Sequence, residues 1–438
     1  MSQALAVPSL ESFARIAPAG PRLSTLAAIL EPSTILRIAG EIRALQSQGR
    51  DICDLTVGDF DPKHFPIPEK LREGVKAALD AGATNYPPSP GIPALREAVQ
   101  RFYSRHLGLN YPVDSVLIAA GARPLIYALF RIVVDQGDTV AYPAPCWNYP
   151  FYAEILGARG EAIVCSAEDQ FQPRAGALDA AIKKARLIAI NTPLNPAGTV
   201  TPRDAVLRLC EAIIRENADR EGRGERPVYL MYDHIYWMLS LGADHATPPA
   251  LVPEMAKYTI FIDGISKAFA ATGLRVGWAF GPTDVIAKMN TMLMHVGAWA
   301  PRPEQVASAS LLDDDAAITR YHATHKPALE RRLNALHAGF QKLKTEGHAV
   351  DSISPTGAIY VSVRVHPFGK KAPGGAVLST NEDVRKFLLE SAGLGVIPFQ
   401  AFGVPGDSGW MRISVGAVGE DQIASGLLRL GTALSSLS

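Results

Sequence analysis

The chain has 438 residues, 47% of them apolar and 20% charged, and its 43 basic residues balance 43 acidic ones. That length excludes a single small core and calls for about two or three domains. A net charge of +0 excludes the electrostatic footprint of a nucleic-acid or anionic-membrane binder. No apolar run approaches the roughly 20 residues of a membrane span. The opening segment 1–20 lacks the basic start and continuous apolar run of a secretory leader. Cys53, Cys146, Cys165 and Cys210 form no paired motif and are expected as buried thiols in a reducing compartment, the cytoplasm. No histidine pair has metal-ligand spacing, so no metal is expected; His322 and His325 come nearest, in a polar helical stretch that predicts solvated rings.

In chain order, residues 1–30 form an N-terminal arm expected to pack on a partner subunit. From about 71 to 281 short apolar runs alternate with amphipathic ones. The runs at 116–119, 139–142, 162–164, 187–190, 228–231 and 259–262 predict strands buried on both faces, with helices such as 124–134 and 203–215 between them. The charged, glycine-bearing stretch 219–226 predicts an exposed loop. This alternation predicts an α/β fold around a mostly parallel sheet. Helical spacing over 313–343, broken only by Pro327, predicts a long helix leading into a smaller domain. There 358–365 and 410–415 predict antiparallel strands, and a closing helix runs to about 434.

Residues with reactive or binding chemistry gather just after the predicted strands, where open α/β sheets hold ligands. Gly121, Ala122 and Arg123 open a helical stretch and make either an anion cradle or an ordinary strand-to-helix turn. Trp147 is a stacking face for a flat ring or a core tryptophan. Asn195, in a turn-rich run, is an amide donor to a phenolate-like oxygen or a simple turn asparagine. Asp233 closes a buried strand, where a carboxylate needs a partner such as a protonated pyridine nitrogen; the competing reading is a helix N-cap. Tyr236, three residues on, can reach a hydroxyl of the same ring. Lys267 lies in Asp263-Gly264-Ile265-Ser266-Lys267-Ala268, with Arg275 eight positions downstream. An amine able to form an imine beside a guanidinium suited to a phosphate is what pyridoxal phosphate requires. Arg412 stands in an apolar strand as a fork for a substrate carboxylate or as half of a structural salt bridge.

From about residue 33 onward these motifs, in this order, resemble those of the fold-type-I, class I/II pyridoxal-phosphate-dependent aminotransferases, the aspartate aminotransferase superfamily. Leu55-Thr56-Val57-Gly58-Asp59-Phe60-Asp61 is similar to that family's glycine loop beside the substrate, and Asn85-Tyr86 through Gly91 to Leu95-Arg96 to its Tyr…Gly…Leu-Arg block. The resemblance implies a large domain at 70–312 with a mostly parallel seven-stranded sheet, and a smaller α+β domain built from 31–69 and 313–438. It implies a homodimer in which Tyr86 reaches the neighbouring subunit's cofactor phosphate. Gly121, Ala122, Arg123 and Arg275 would hold the phosphate, and Trp147 would stack on the ring. Asn195 and Tyr236 would hold the ring oxygen, Asp233 the pyridine nitrogen and Lys267 the imine. Gly58, Asn195 and Arg412 would meet the substrate, Arg412 at its α-carboxylate.

Three departures bear on substrate preference. Gly264 replaces a serine common in relatives, with Ser266 as its possible substitute at the phosphate. His234 stands where an acid commonly follows the ring-binding aspartate, and Gly297-Ala298-Trp299-Ala300-Pro301-Arg302-Pro303 lacks the small polar residues of a region contributed across the dimer. Ile35, Leu36, Tyr149 and Phe402 would give an apolar or aromatic lining if they face the pocket. The implied reaction moves an amino group from an α-amino acid to a 2-oxo acid through a Lys267 imine, with Lys267 also shuttling the proton. A lyase or synthase using the same cofactor shares these residues and is the alternative. A non-catalytic cofactor-binding sensor is the remote one, since no basic patch and no room for a DNA-binding leader are present.

Overall fold

A computed structural model describes residues 23–438, the side chain of Ile29 excepted. The first 22 residues of the expected N-terminal arm therefore lie outside the described residues. The large domain is built on a seven-stranded sheet. Its strands run, in spatial order, Val116–Ala119, Gly277–Phe280, Thr259–Gly264, Tyr229–Asp233, Ala185–Asn191, Thr139–Ala144 and Arg159–Val164. Every pairing is parallel except the two made by Gly277–Phe280. The interior strands are near-continuous apolar runs because helices cover both faces. Helix Ala122–Val133 packs its apolar stripe on one face, and Arg203–Gly222 shields the other.

Three expectations need correction. The run at 162–164 is not buried on both faces: Arg159–Val164 is the sheet's edge, and Val164 is 59% exposed. The stretch at 219–226 is not all loop, because the helix continues to Gly222. Arg220 is buried there, bonded to Glu216 at 2.8 Å and to the Lys183 carbonyl at 3.0 Å, and these partners hold the last turn in place. His322 and His325 are not solvated; both turn inward from the long helix Asp315–Thr345 among Phe269, Tyr321 and Phe65. Burial pushes their pKa values down to about 3 and about 4. Pro327 does not end that helix because it sits on the exposed side, where water can satisfy the carbonyl one turn back.

The smaller domain stacks an antiparallel sheet, in the order Ile397–Pro398, Trp410–Ser414, Tyr360–Val365 and Val350–Ser352, against helices Asn381–Ala392 and Glu420–Ser435 and the long helix. The short strand Cys53–Asp54 pairs with Leu394–Gly395, so the segment after residue 54 leaves the small domain aimed at the large one. All four cysteines are free and buried. Among the described residues no helix is long and apolar enough to cross a membrane.

Candidate active site

The carboxyl ends of the parallel strands place the first group of side chains. Register sets Asn191 beside Asp233. Asn191 donates through Nδ2 to the Asp233 carbonyl at 2.9 Å and accepts the Asn195 backbone N–H at 2.7 Å, which fixes the loop carrying Asn195. Asp233 is buried; its Oδ2 accepts from the Tyr149 hydroxyl at 2.7 Å and its Oδ1 from the Ile235 N–H at 3.3 Å. No cation pairs with it among the described residues. Burial pushes its carboxyl up to about 6, although both hydrogen bonds pull downward. Such a carboxylate is poised for a cationic partner.

Lys267 follows Thr259–Gly264 on a single helical turn, Ile265–Ala268. Its Nζ donates to the Gly58 carbonyl at 2.5 Å and lies 5.9 Å from the centre of the Tyr236 ring. Burial lowers the amine's pKa to about 8; Asp59 opposes this, and Arg412, Arg123 and Arg275 add to it. The Tyr236 hydroxyl is 2.7 Å from that of Tyr360.

Helix Ala122–Val133 opens at Gly121, whose φ of 87° is a conformation other residues rarely adopt. A Cβ on Gly121 would overlap the Arg275 guanidinium, so the absence of a side chain lets that arginine lie directly against a helix N-terminus. Arg275 is held there by hydrogen bonds to the carbonyls of Thr272 (2.7 Å) and Ala120 (3.0 Å). Ser266 is buried beside Lys267. The Arg123 guanidinium lies 4.7 Å over the half-buried Trp147 ring.

Arg412 is 2% exposed and pairs with no carboxylate among the described residues, which disposes of the salt-bridge reading. Its Nη1 donates to Asn195 Oδ1 at 3.2 Å and its Nη2 to the Thr56 carbonyl, while Nε is buried without a partner. Tyr360 and Phe402 flank the guanidinium at 4.7 and 4.9 Å. An orphaned donor on a buried cation calls for an anion. Arg275 against the helix start at Gly121, the carboxylate of Asp233, the amine of Lys267 and this cation are the kinds of group that a phosphate, a ring nitrogen, an imine and a substrate carboxylate would require.

Several expected residues sit elsewhere. Tyr86 is 84% exposed, edge-on to Trp299 at 5.3 Å. Leu36 is 69% exposed, and Tyr149 supports Asp233 where a lining residue was expected. His234 faces inward, its Nε2 3.8 Å from Asp263 Oδ2 on the next strand. Asp263 also accepts from Tyr103, from Trp237 at 2.7 Å and from the Gly264 N–H at 2.6 Å. The acid absent after Asp233 thus has a counterpart on the neighbouring strand. Tyr360 and Asp59 gave no signal as isolated residues, and nothing near Tyr149 announced its bond to Asp233; only the distant partners identify these roles.

The family of class I and II aminotransferases matches residues 50–429. The aspartate/prephenate aminotransferase of Cereibacter sphaeroides is 29% identical over 386 residues, covering 87% of this chain and 92% of that protein. The aspartate/prephenate aminotransferase of Thermus thermophilus is 30% identical over 388 residues, with the same coverage of 87% and 92%. Among solved structures, the aspartate aminotransferase from Rhizobium meliloti superposes with a TM-score of 0.85 at 28% identity, covering 96% of this chain and 100% of that one. The Thermus thermophilus aspartate aminotransferase with maleate gives 0.84 at 27% identity, with 95% and 100% covered.

Proposed function

The chain belongs to the family of class I and II aminotransferases and is a pyridoxal-phosphate-dependent transaminase, and from that premise we propose that its amino donor is a dicarboxylic amino acid of the aspartate class. The observation that carries this reading is Arg123. Its guanidinium lies over Trp147, close enough to depress the Lys267 pKa, and no carboxylate pairs with it among the described residues. With Arg412 it offers two cations to one substrate, a match for two carboxylates. Relatives named for aspartate, and one whose structure holds maleate, a dicarboxylate, support the same class.

When bound, pyridoxal phosphate supplies an electrophilic carbon for amines and a ring that withdraws the electron pair of a breaking Cα–H bond. Gly121, Ala122, the Arg123 N–H, Ser266 and Arg275 would hold its phosphate, Trp147 its face, Asn195 and Tyr236 its ring oxygen, and Asp233 its ring nitrogen. A cation beside Asp233 relieves the burial that keeps its carboxyl near 6, so the pair favours a charged carboxylate. Arg412 anchors the α-carboxylate through its free Nε and orients the substrate. Lys267, with a pKa of about 8, has an appreciable free-base fraction at neutral pH. Its Nζ accepts the Cα proton and returns it at close range.

The enzyme acts as a dimer of identical chains, with Tyr86 reaching the neighbouring site. Tyr86, Met294 and Val296 expose large apolar surface, and the Ser89 hydroxyl, bonded to Asn290 Oδ1 at 2.6 Å, ties their segments into one face.

A panel of aspartate, glutamate, phenylalanine, leucine and alanine against 2-oxoglutarate tests the substrate class. Arg123→Ala should raise KM for the dicarboxylic donors about 10- to 100-fold and leave the others unchanged. An equal effect on all donors, or no preference for aspartate or glutamate in the native enzyme, rules the class out.

A further inference from the structure

Asp59 has no role in the scheme above, yet the segment it belongs to joins three parts of the site, and its carboxylate makes one of the links. Its Oδ1 accepts from Thr272 Oγ1 at 2.6 Å and from the Phe60 N–H at 2.8 Å. Thr272 in turn offers its carbonyl to Arg275, the arginine packed against Gly121. On the other side, the Asp61 N–H donates to the Gly416 carbonyl at 2.9 Å, and a Cβ on Gly416 would overlap the Asp59 carbonyl. The segment is thus clamped to the end of the small-domain strand Trp410–Ser414. The carbonyl just before Asp59, that of Gly58, takes the Lys267 hydrogen bond.

The charges around Lys267 are lopsided. Arg412, Arg123 and Arg275 all act against a proton on its amine, and among the described residues the sole carboxylate acting on it is Asp59. The other titratable groups nearby are Tyr236 and Tyr360, both held neutral by burial, and Asp233. Deleting the Asp59 charge leaves three cations unopposed.

We propose that Asp59 is a positioning residue for the transamination: its carboxylate is the counter-charge that keeps a proton within reach of the Lys267 amine, and its bond to Thr272 seats the loop carrying Arg275. This rests on the reading of Lys267 as the reacting amine.

Titration of the visible absorbance of the cofactor-loaded enzyme tests both claims separately. In Asp59→Asn the amide oxygen still accepts from Thr272, and only the charge is lost. Its titration midpoint should fall by about one pH unit, the shift expected for removing a nearby opposite charge. Asp59→Glu should restore it. Thr272→Val keeps the charge, so its midpoint should not fall, while its cofactor dissociation constant should rise about tenfold. An Asp59→Asn midpoint equal to the native one overturns the inference, as does an equal fall in Thr272→Val; the latter decides alone if Asp59→Asn does not fold. Lys267→Ala is the control for the underlying reading. Loss of the titrating band there assigns the band to Lys267, so a native-like Asp59→Asn then sinks the Asp59 claim only; a surviving band sinks both.

Discussion

At the scale of single residues, Asp233 shows how a site can strain the protein that carries it. A carboxylate buried with a tyrosine and one N–H for company has its pKa moved from 3.8 to about 6. Below about pH 3 it is neutral in both the folded and unfolded cofactor-free chain and costs nothing. Between about pH 4 and pH 6 the unfolded chain is ionised while the folded one keeps its proton, and above about pH 6 folding bears the full difference, on the order of 3 kcal/mol for a shift of this size. Cofactor-free Asp233→Asn should therefore gain stability relative to the native chain between pH 4 and pH 7.5, by up to about 3 kcal/mol in urea unfolding. A constant difference between the two proteins across that range would mean that Asp233 does not titrate as its burial requires. The chemistry of Asp233, Lys267 and Arg412 was legible in the sequence because a charge in an apolar strand or after one is rare without a partner. Their partners were not legible. Tyr149 lies 84 positions from Asp233, and Thr272 lies 213 from Asp59. Nothing local in either sequence segment announces those pairings, which follow only from how the strands are ordered.

At the scale of elements, the six strands predicted for the large domain appear within a few residues of their expected places, five of them because strands covered on both sides must be continuously apolar, and the sixth as the exposed edge Arg159–Val164. Direction and position in the sheet carry no such mark. The strand Gly277–Phe280 passed unseen: four residues, two of them glycine and alanine, starting two positions after Arg275, whose φ is 56°. Its antiparallel course is what returns the chain after Lys267 and brings Arg275 up against Gly121. That meeting can be tested by adding one methyl group. Gly121→Ala should displace the arginine and weaken pyridoxal phosphate binding by about tenfold or more, in addition to the roughly 1–2 kcal/mol cost of its backbone conformation. Gly108→Ala supplies the comparison, since its φ is 66° but no atom of the described residues lies within 4 Å of the added carbon. Its ψ of 17° is left-handed helical where that of Gly121 is −179°, so it should lose less backbone stability in thermal unfolding and keep native cofactor affinity, measured by fluorescence titration. Equal loss of affinity in both variants would reduce the Gly121 effect to general destabilisation.

At the scale of the whole molecule, two domains meet where the site is built. The small domain contributes Arg412 and, through the segment after Cys53–Asp54, Gly58 and Asp59, while the large domain contributes Lys267, Asp233 and Arg275. The alternation of strands and helices followed by a long helix made this division readable, since only a change of architecture explains the change of pattern. A surface that belongs to a second chain leaves a fainter trace. Tyr86, 84% exposed, meets Trp299 edge-on within its own subunit, while the resemblance assigns it a task across the proposed dimer. Subunit mixing separates these possibilities. Tyr86→Ala should bind cofactor weakly and Lys267→Ala should be inactive. A hybrid dimer of the two would hold one site that combines a native Lys267 with a native Tyr86 from the other chain. Equal amounts, exchanged to equilibrium, would place half the dimers in that hybrid form and recover about a quarter of native activity at low cofactor concentration. If Tyr86 served its own subunit, the hybrid would contain no complete site. Mixing would then add nothing beyond the residual activity of Tyr86→Ala, and the proposed reach across the dimer would fail.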